Sequence, residues 1–280
     1  MPTIAQILAE AKVRGLRDVL AGELWLGHLL NMNKTALFSR SEEEVSADME
    51  LRFWQGIEQI MEGKPVGQLI GTREFYGLDF FVDENVLIPR PESEMLVDLA
   101  RNFIQKNLAE REVRVADIGT GSGCILLALL KNCAEVKGIG VEVSEGALVV
   151  ARKNAEKLQL SERVSFLQGN LLEPLEERCE IILANLPYIG RERFNFVAEN
   201  VAKFEPEVAL FGGADGLDLY REMFGQLKAK AWKPRLLAGE FGFGQEETMR
   251  GVLAENFSVD SFEIIPDLAG IPRVFVVNFA

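Results

Sequence analysis

The sequence holds a single histidine, His28, and three cysteines, Cys124, Cys133 and Cys179. One histidine rules out a two-histidine metal site, and any His-based triad or general base would have to use that residue. His28 lies in the apolar helical stretch Leu24-Trp25-Leu26-Gly27-His28-Leu29-Leu30 and reads as structural. The cysteines are odd in number and form no C-x-x-C pair, so neither a disulfide framework nor a zinc site is expected; reduced thiols in a cytosol fit better. The longest purely apolar run, Cys124 to Leu130, is too short to span a bilayer. The N-terminus has no basic segment followed by an apolar one, so no signal peptide is expected. Basic residues are scarce as well: 30 Lys and Arg face 43 Asp and Glu, a net charge of −13. That balance disfavours a protein held mainly by nucleic-acid phosphates or an anionic membrane, while leaving room for a local basic groove.

The 280 residues suffice for one large domain plus a small one, and the 48% hydrophobic, 26% charged composition is that of an ordinary globular chain. The first part reads as helices. Ile4, Ile7 and Leu8 have helical spacing, as do Leu26, Leu29 and Leu30. Ser41 with Glu44 fits a capping box ahead of the stripe Val45, Met49, Phe53, Ile57, Ile60 and Met61, which Gly63 and Pro65 end. After Pro65 the pattern becomes alternating. Leu78, Phe80 and Val82, a turn at Asp83-Glu84-Asn85, and Val86-Leu87-Ile88 predict a β-hairpin, followed by Pro89-Arg90-Pro91. From there strands and helices alternate. Strands are predicted at 113–118, 137–143, 164–168, 180–184 and 236–241, with two β-like stretches at 258–265 and 274–279. Helices are predicted at 92–106, 122–131, 144–157, 216–230 and 245–256. This alternation predicts an α/β fold with a doubly wound, mostly parallel sheet closed by an antiparallel hairpin.

The first strand of that sheet runs into Asp117-Ile118-Gly119-Thr120-Gly121-Ser122-Gly123 and then a helix. The third glycine falls one residue too early for the dinucleotide fingerprint, and no P-loop lysine follows. A carboxylate beside the loop would repel a pyrophosphate and suits a cationic ligand without phosphate; S-adenosylmethionine is such a ligand. Glu142 ends the second strand and is placed to accept from a ribose diol. Asn170 follows the third, where its amide would meet the polar edge of an adenine with Leu171 against the ring. The fourth strand ends in Asn185-Leu186-Pro187-Tyr188. An amide or aromatic amine is a poor nucleophile. The Asn185 oxygen and a backbone carbonyl near Leu186 would accept both of its N–H groups and turn its lone pair toward a methyl donor. Tyr188 would wall or stack on the planar group.

Asn185-Leu186-Pro187-Tyr188 resembles the N-P-P-Y motif of S-adenosylmethionine-dependent methyltransferases that act on planar amino groups. Further stretches are similar to the HemK/PrmC-type release factor glutamine methyltransferases. They are 71–76 (Gly-Thr-Arg-Glu-Phe-Tyr), 87–94 (Leu-Ile-Pro-Arg-Pro-Glu-Ser-Glu), 117–123, 204–206 (Phe-Glu-Pro), 212–218 (Gly-Gly-Ala-Asp-Gly-Leu-Asp) and 270–274 (Gly-Ile-Pro-Arg-Val). The resemblance runs from about Glu23 to Val277. It implies a helical substrate-recognition domain at 1–75, a β-hairpin linker at 76–91 and a class I, Rossmann-like methyltransferase domain with a seven-stranded sheet at 92–280. It implies that Gly119, Thr120, Gly121, Ser122, Gly123, Glu142, Asn170, Leu171 and Asn185 bind S-adenosyl-L-methionine. Asn185, Leu186, Pro187 and Tyr188 would hold the glutamine of the GGQ motif of peptide chain release factors. A cytoplasmic monomer is expected, with no metal, no direct nucleic-acid contact and no membrane. Leu186 stands where the family usually has Pro, and Asn170 where Asp is commoner. The N-L-P-Y form also occurs in rRNA adenine dimethyltransferases, so an adenine amino-group methyltransferase acting on RNA or DNA stands as the alternative. A non-catalytic cofactor-binding module is the third reading.

Overall fold

The computed structural model describes residues 1–108, 112–196 and 199–279. The chain forms two compact units. One comprises Met1–Thr72 and Ala198–Phe204, the other Arg73–Val197 and Glu205–Ala280.

The first unit is helical: α1 (Ile4–Val13), α2 (Val19–Leu30), α3 (Lys34–Ser39), α4 (Ala47–Met61) and α5 (Val66–Ile70), with the later α9 (Glu199–Phe204). Its core joins Ile4, Ile7, Leu26, Leu37, Phe53 and Ile57. The capping box expected at Ser41 and Glu44 lies elsewhere. Thr3 and Gln6 form one on α1, and Ser46 caps α4 by accepting from the Met49 N–H. Glu44 instead pairs with Thr3 in an isolated bridge. The Gln68 side chain donates to the Phe204 carbonyl at 2.9 Å and ties α9 to α5.

The second unit opens with a hairpin of β1 (Thr72–Phe75) and β2 (Leu78–Phe81). Its turn, Tyr76-Gly77, has φ of 55° and 72°, the left-handed pair that a two-residue hairpin needs. The hairpin therefore falls earlier than the alternation predicts. Val86-Leu87-Ile88 is not a strand: the Ile88 N–H is taken by the Glu205 carboxylate at 3.1 Å, and Pro89 has no N–H to offer a ladder. A short 3-10 turn, Pro91–Ser93, leads into α6 (Glu94–Asn107).

The main sheet consists of β3 (Val113–Ile118), β4 (Val136–Glu142), β5 (Val164–Gln168), β6 (Ile181–Ala184), β7 (Leu236–Glu240), β8 (Phe262–Pro266) and β9 (Pro272–Asn278). Its order is β5-β4-β3-β6-β7-β9-β8. The first five strands are parallel; β9 runs antiparallel to both β7 and β8. The connecting helices are α7 (Cys124–Asn132), α8 (Glu145–Lys157), α10 (Asp218–Ala229) and α11 (Glu246–Asn256). This is the expected class I methyltransferase architecture. Val113 and Val115 point into the core shared with α6 and α7, while Ala116 and Ile118 point into the one shared with α10 and α11. In β6 and β7 every residue is buried, and these two strands read as nearly continuous apolar runs. The chain lays β4 and β5 to one side of β3, then crosses to place β6 and β7 on the other. The β3–β6 boundary is the topological switch point, where open α/β sheets bind ligands.

Candidate active site

At the carboxyl ends of β3 to β6 lies a cavity of about 500 Å³, within the usual range for small-molecule sites. Gly119, Thr120, Gly121, Ser122, Glu142, Asn170, Leu171, Asn185, Leu186 and Pro187 all line it. So do Pro89, Arg90 and Ser93, which gives the I-P-R-P-x-x-E stretch a place on its wall. Three of the residues singled out in the sequence do not line it: Asp117, Gly123 and Tyr188. A Cβ on Gly123 would meet Leu127 at 3.0 Å and Ala151 at 3.5 Å, so this glycine lets α7 pack closely. His28 is exposed, stacks on Trp25 and does not line the cavity.

The glycine turn is held from both sides. The Gly119 and Thr120 N–H groups donate to the Val141 carbonyl at 2.9 and 3.0 Å, and φ is positive at Gly119 and Gly121. Glu142 Oε2 accepts from the Gly121 N–H at 3.0 Å. Its Oε1 accepts from the Val143 and Ser144 N–H groups at 2.9 and 3.0 Å. A carboxylate has roughly four acceptor positions, so Glu142 fixes the loop geometry and keeps about one position for a ligand hydroxyl. Asp117 is buried; its Oδ2 accepts from Thr120 Oγ1 at 2.7 Å, and its Oδ1 has no hydrogen-bond partner among the described residues. Burial pushes its carboxyl up to about 7, against the Thr120 hydrogen bond, with the Glu142 charge adding to the rise. Two carboxyls beside a glycine turn with no lysine suit a cationic, phosphate-free ligand, so the residues present fit S-adenosylmethionine. Asn170 Nδ2 donates to Glu222 at 2.5 Å, leaving its oxygen for a donor such as an adenine amine. Leu171 sits beyond it with φ of 51°, an uncommon conformation for leucine.

The 185–188 segment is clamped by residues the sequence does not mark. Asn185 Nδ2 donates to Ser93 Oγ at 2.8 Å and to Glu240 Oε2 at 3.1 Å. Ser93 Oγ itself donates to Glu240 Oε2 at 2.6 Å, and the Tyr188 hydroxyl donates to Glu240 Oε1 at 3.3 Å. The Tyr188 phenol, expected to wall the substrate, is thus tied to a buried carboxyl. Burial, with the charge of Glu240, holds its pKa well above the ordinary value. Leu186 replaces the usual proline, and the N–H this adds donates to Tyr220 Oη at 3.5 Å. Behind the segment, Gln245 Nε2 donates to the carbonyls of Tyr188 and Asp215 at 2.6 and 2.9 Å, and its Oε1 accepts from the Gly242 N–H at 2.7 Å. A Cβ on Gly212 would lie 2.0 Å from the Pro187 carbonyl oxygen, and one on Gly216 2.0 Å from that of Tyr188. The 212–218 stretch is therefore the back wall of 185–188. Glu205 fixes the other wall, accepting from the Ile88 N–H and from Arg90 at 2.5 Å. Ser93, Glu240 and Gln245 were not foreseen. For Glu240 the available signal was an acid at the end of an apolar strand, the kind of signal that marked Glu142 and Asn185; Ser93 and Gln245, off the strands, carried none.

Residues 92–204 match the methyltransferase small domain, and residues 4–71 the PrmC N-terminal domain. The chain is 37% identical over 261 residues to the release factor glutamine methyltransferase of Bacillus anthracis, covering 92% of each protein. It is 35% identical over 281 residues to that of Moorella thermoacetica, covering 98% of each. Among solved structures it superposes on the N-terminal domain of human METTL16 in complex with SAH. The TM-score is 0.57 at 15% identity over 92% of this chain and 94% of that one, a likeness of fold. The length and level of the sequence matches settle the lineage: this chain belongs to the release factor glutamine methyltransferase family.

Proposed function

We propose that this protein transfers a methyl group from S-adenosyl-L-methionine to the side-chain amide nitrogen of the GGQ glutamine of peptide chain release factors. The observation that carries the reading is that the glycine turn with Glu142 and the Asn185–Pro187 segment open onto one cavity. Donor and acceptor can therefore meet without rearrangement of the sheet.

S-adenosylmethionine, when bound, supplies an electrophilic methyl group on a sulfonium sulfur. Gly119–Ser122 expose backbone to it, Glu142 takes a ribose hydroxyl, and Asn170 with Leu171 takes the adenine. On the acceptor side, Asn185 Oδ1 and a backbone carbonyl near Leu186 accept the two amide N–H groups of the glutamine. This fixes the nitrogen and turns its lone pair toward the methyl group. As the new C–N bond forms, the S–CH3 bond of the donor would break and leave a neutral thioether; the amide nitrogen becomes positively charged and then loses one proton to water. No strong base is needed, because that proton is far more acidic than one on a neutral amide. The contribution of the chain is orientation and electrostatics. A net charge of −13 suits a protein substrate better than a nucleic acid. The reaction belongs in the cytoplasm, with the enzyme working as a monomer.

The test is to incubate the protein with methyl-labelled cofactor and, separately, unmodified release factor and rRNA, and to locate the label by mass spectrometry. Methyl on the GGQ glutamine is expected; label on adenine alone refutes the reading. Asn185→Ala should lower kcat by about 100-fold or more while cofactor affinity changes by less than about tenfold, because it removes an orienting acceptor.

A further inference from the structure

We infer that Ser93 and Glu240 are positioning residues that lock the Asn185 amide with its nitrogen turned inward, so that only its oxygen is offered to the substrate. This rests on the amide-methylation reading above and adds the device that gives the acceptor site its polarity.

An asparagine side chain is ambiguous, since its oxygen and its NH2 have nearly the same shape, and only partners decide which end points where. Here both partners can only accept. The single Ser93 hydroxyl proton is used on Glu240 Oε2 at 2.6 Å, so Ser93 faces Asn185 with a lone pair. An ionised Glu240 has nothing but lone pairs. Asn185 Nδ2 therefore gives one N–H to each, at 2.8 and 3.1 Å. A flipped amide would set its oxygen against two oxygens. With both N–H groups used, Asn185 offers an acceptor alone to the cavity, and among the described residues no donor takes its Oδ1. A substrate that brings N–H groups is matched, and one that brings only acceptors is refused. Neither Glu240 nor Tyr188 lines the cavity, so Glu240 acts through Asn185.

The lock depends on the charge of Glu240. Burial pushes this carboxyl up to about 7, opposed by the Ser93 hydrogen bond. Every neighbouring element bears on it. Arg273 on β9 favours the charge, and Glu92 in the turn before α6 opposes it. The phenols of Tyr188, after β6, and Tyr220, on α10, stay neutral because burial raises both. Once protonated, Glu240 can donate, and a flipped Asn185 is no longer penalised.

Two measurements test this. First, the side-chain amide resonance of Asn185, assigned by its loss in Asn185→Asp, is followed by NMR against pH in the cofactor-free protein. It should titrate with a midpoint near 7 in the wild type and be flat in Glu240→Gln; a titration of the Asn185 amide that persists unchanged in Glu240→Gln overturns the lock. Second, kcat, KM and cofactor affinity are compared with release factor as substrate. Glu240→Leu should lose about 100-fold in kcat with cofactor Kd unchanged within about threefold. Glu240→Gln, which keeps an acceptor, should recover at least about tenfold of that loss. Ser93→Ala, a small truncation, should cost about tenfold in kcat. A Glu240→Leu enzyme within about threefold of wild-type kcat overturns the inference. If the wild type methylates no release factor, the function proposed above falls, and the NMR titration still decides this one.

Discussion

Replacing Gly212 with alanine drives a methyl group toward the backbone that carries the acceptor site. Its Cβ would lie 2.0 Å from the Pro187 carbonyl oxygen and 2.5 Å from that of Gly216, against at least 3.4 Å for an ordinary contact. The obstacles are backbone on both sides, so no side-chain rotation relieves the overlap. Gly212 cannot simply retreat. Its N–H donates to the Ile189 carbonyl at 3.0 Å, its carbonyl accepts from Asp218 at 3.0 Å, and Ile189 is bonded to Leu210 at 2.9 Å. The relief must come largely from Pro187, two residues from Asn185, as a shift of about 1 Å. A misplacement of that size costs on the order of 100-fold in rate, or about 2.7 kcal/mol in activation free energy. Overpacking should also lower folding stability by about 1–3 kcal/mol. The glycine turn and Glu142 hang on β3 and β4 and are not in the path of the shift. Cofactor Kd, measured by calorimetry, should therefore stay within about threefold of wild type. Kinetics of methyl transfer to release factor complete the test. A Gly212→Ala enzyme with near-wild-type kcat would show that the wall behind Pro187 does not hold the acceptor geometry. A matched loss of cofactor affinity would show that the damage is general.

Two further outcomes follow from the carboxyls at the strand ends. Glu142→Ala should leave the Gly121, Val143 and Ser144 N–H groups without their acceptor and weaken cofactor binding by tenfold or more, roughly the cost of losing charged hydrogen bonds; calorimetry giving unchanged affinity would refute its role. Asp117 and Glu240 are both raised to about 7 by burial. Between the ordinary carboxylate range and pH 7 the folded state holds protons that the unfolded chain has released. Their contribution to stability is therefore full at low pH and is lost as pH rises through 7, by roughly 3–4 kcal/mol each at most. Thermal melts of the cofactor-free protein from pH 5.5 to 8 should show Tm falling, and the slope should shrink in Asp117→Asn and Glu240→Gln; equal slopes in wild type and variants would exclude these two groups as its source.

The strands were legible where burial on both faces writes an apolar run into the chain. Ile181–Ala184 and Leu236–Glu240, buried along their whole length, fall within a residue of where that pattern puts them. The cavity was legible for a related reason: polar residues at the ends of apolar strands have few roles other than meeting a ligand, and Glu142, Asn170 and Asn185 all line it. The hairpin was displaced because alternation at Val86 to Ile88 looks like a strand whether or not backbone partners exist, and here Glu205 takes the Ile88 N–H. The clamp on Asn185 was invisible for want of proximity. Ser93 and Glu240 are 147 residues apart, and nothing local tells a buried carboxyl from a surface one.

The register of β3 against β6 pairs Ile118 with Ala184, so Gly119 and Asn185 emerge side by side from one hydrogen-bonded ladder. A Cβ on Gly119 would lie 3.1 Å from the Leu186 side chain. On the reading proposed above, the spacing between methyl donor and methyl acceptor is therefore set by the pairing of two strands and not by the loops that follow them.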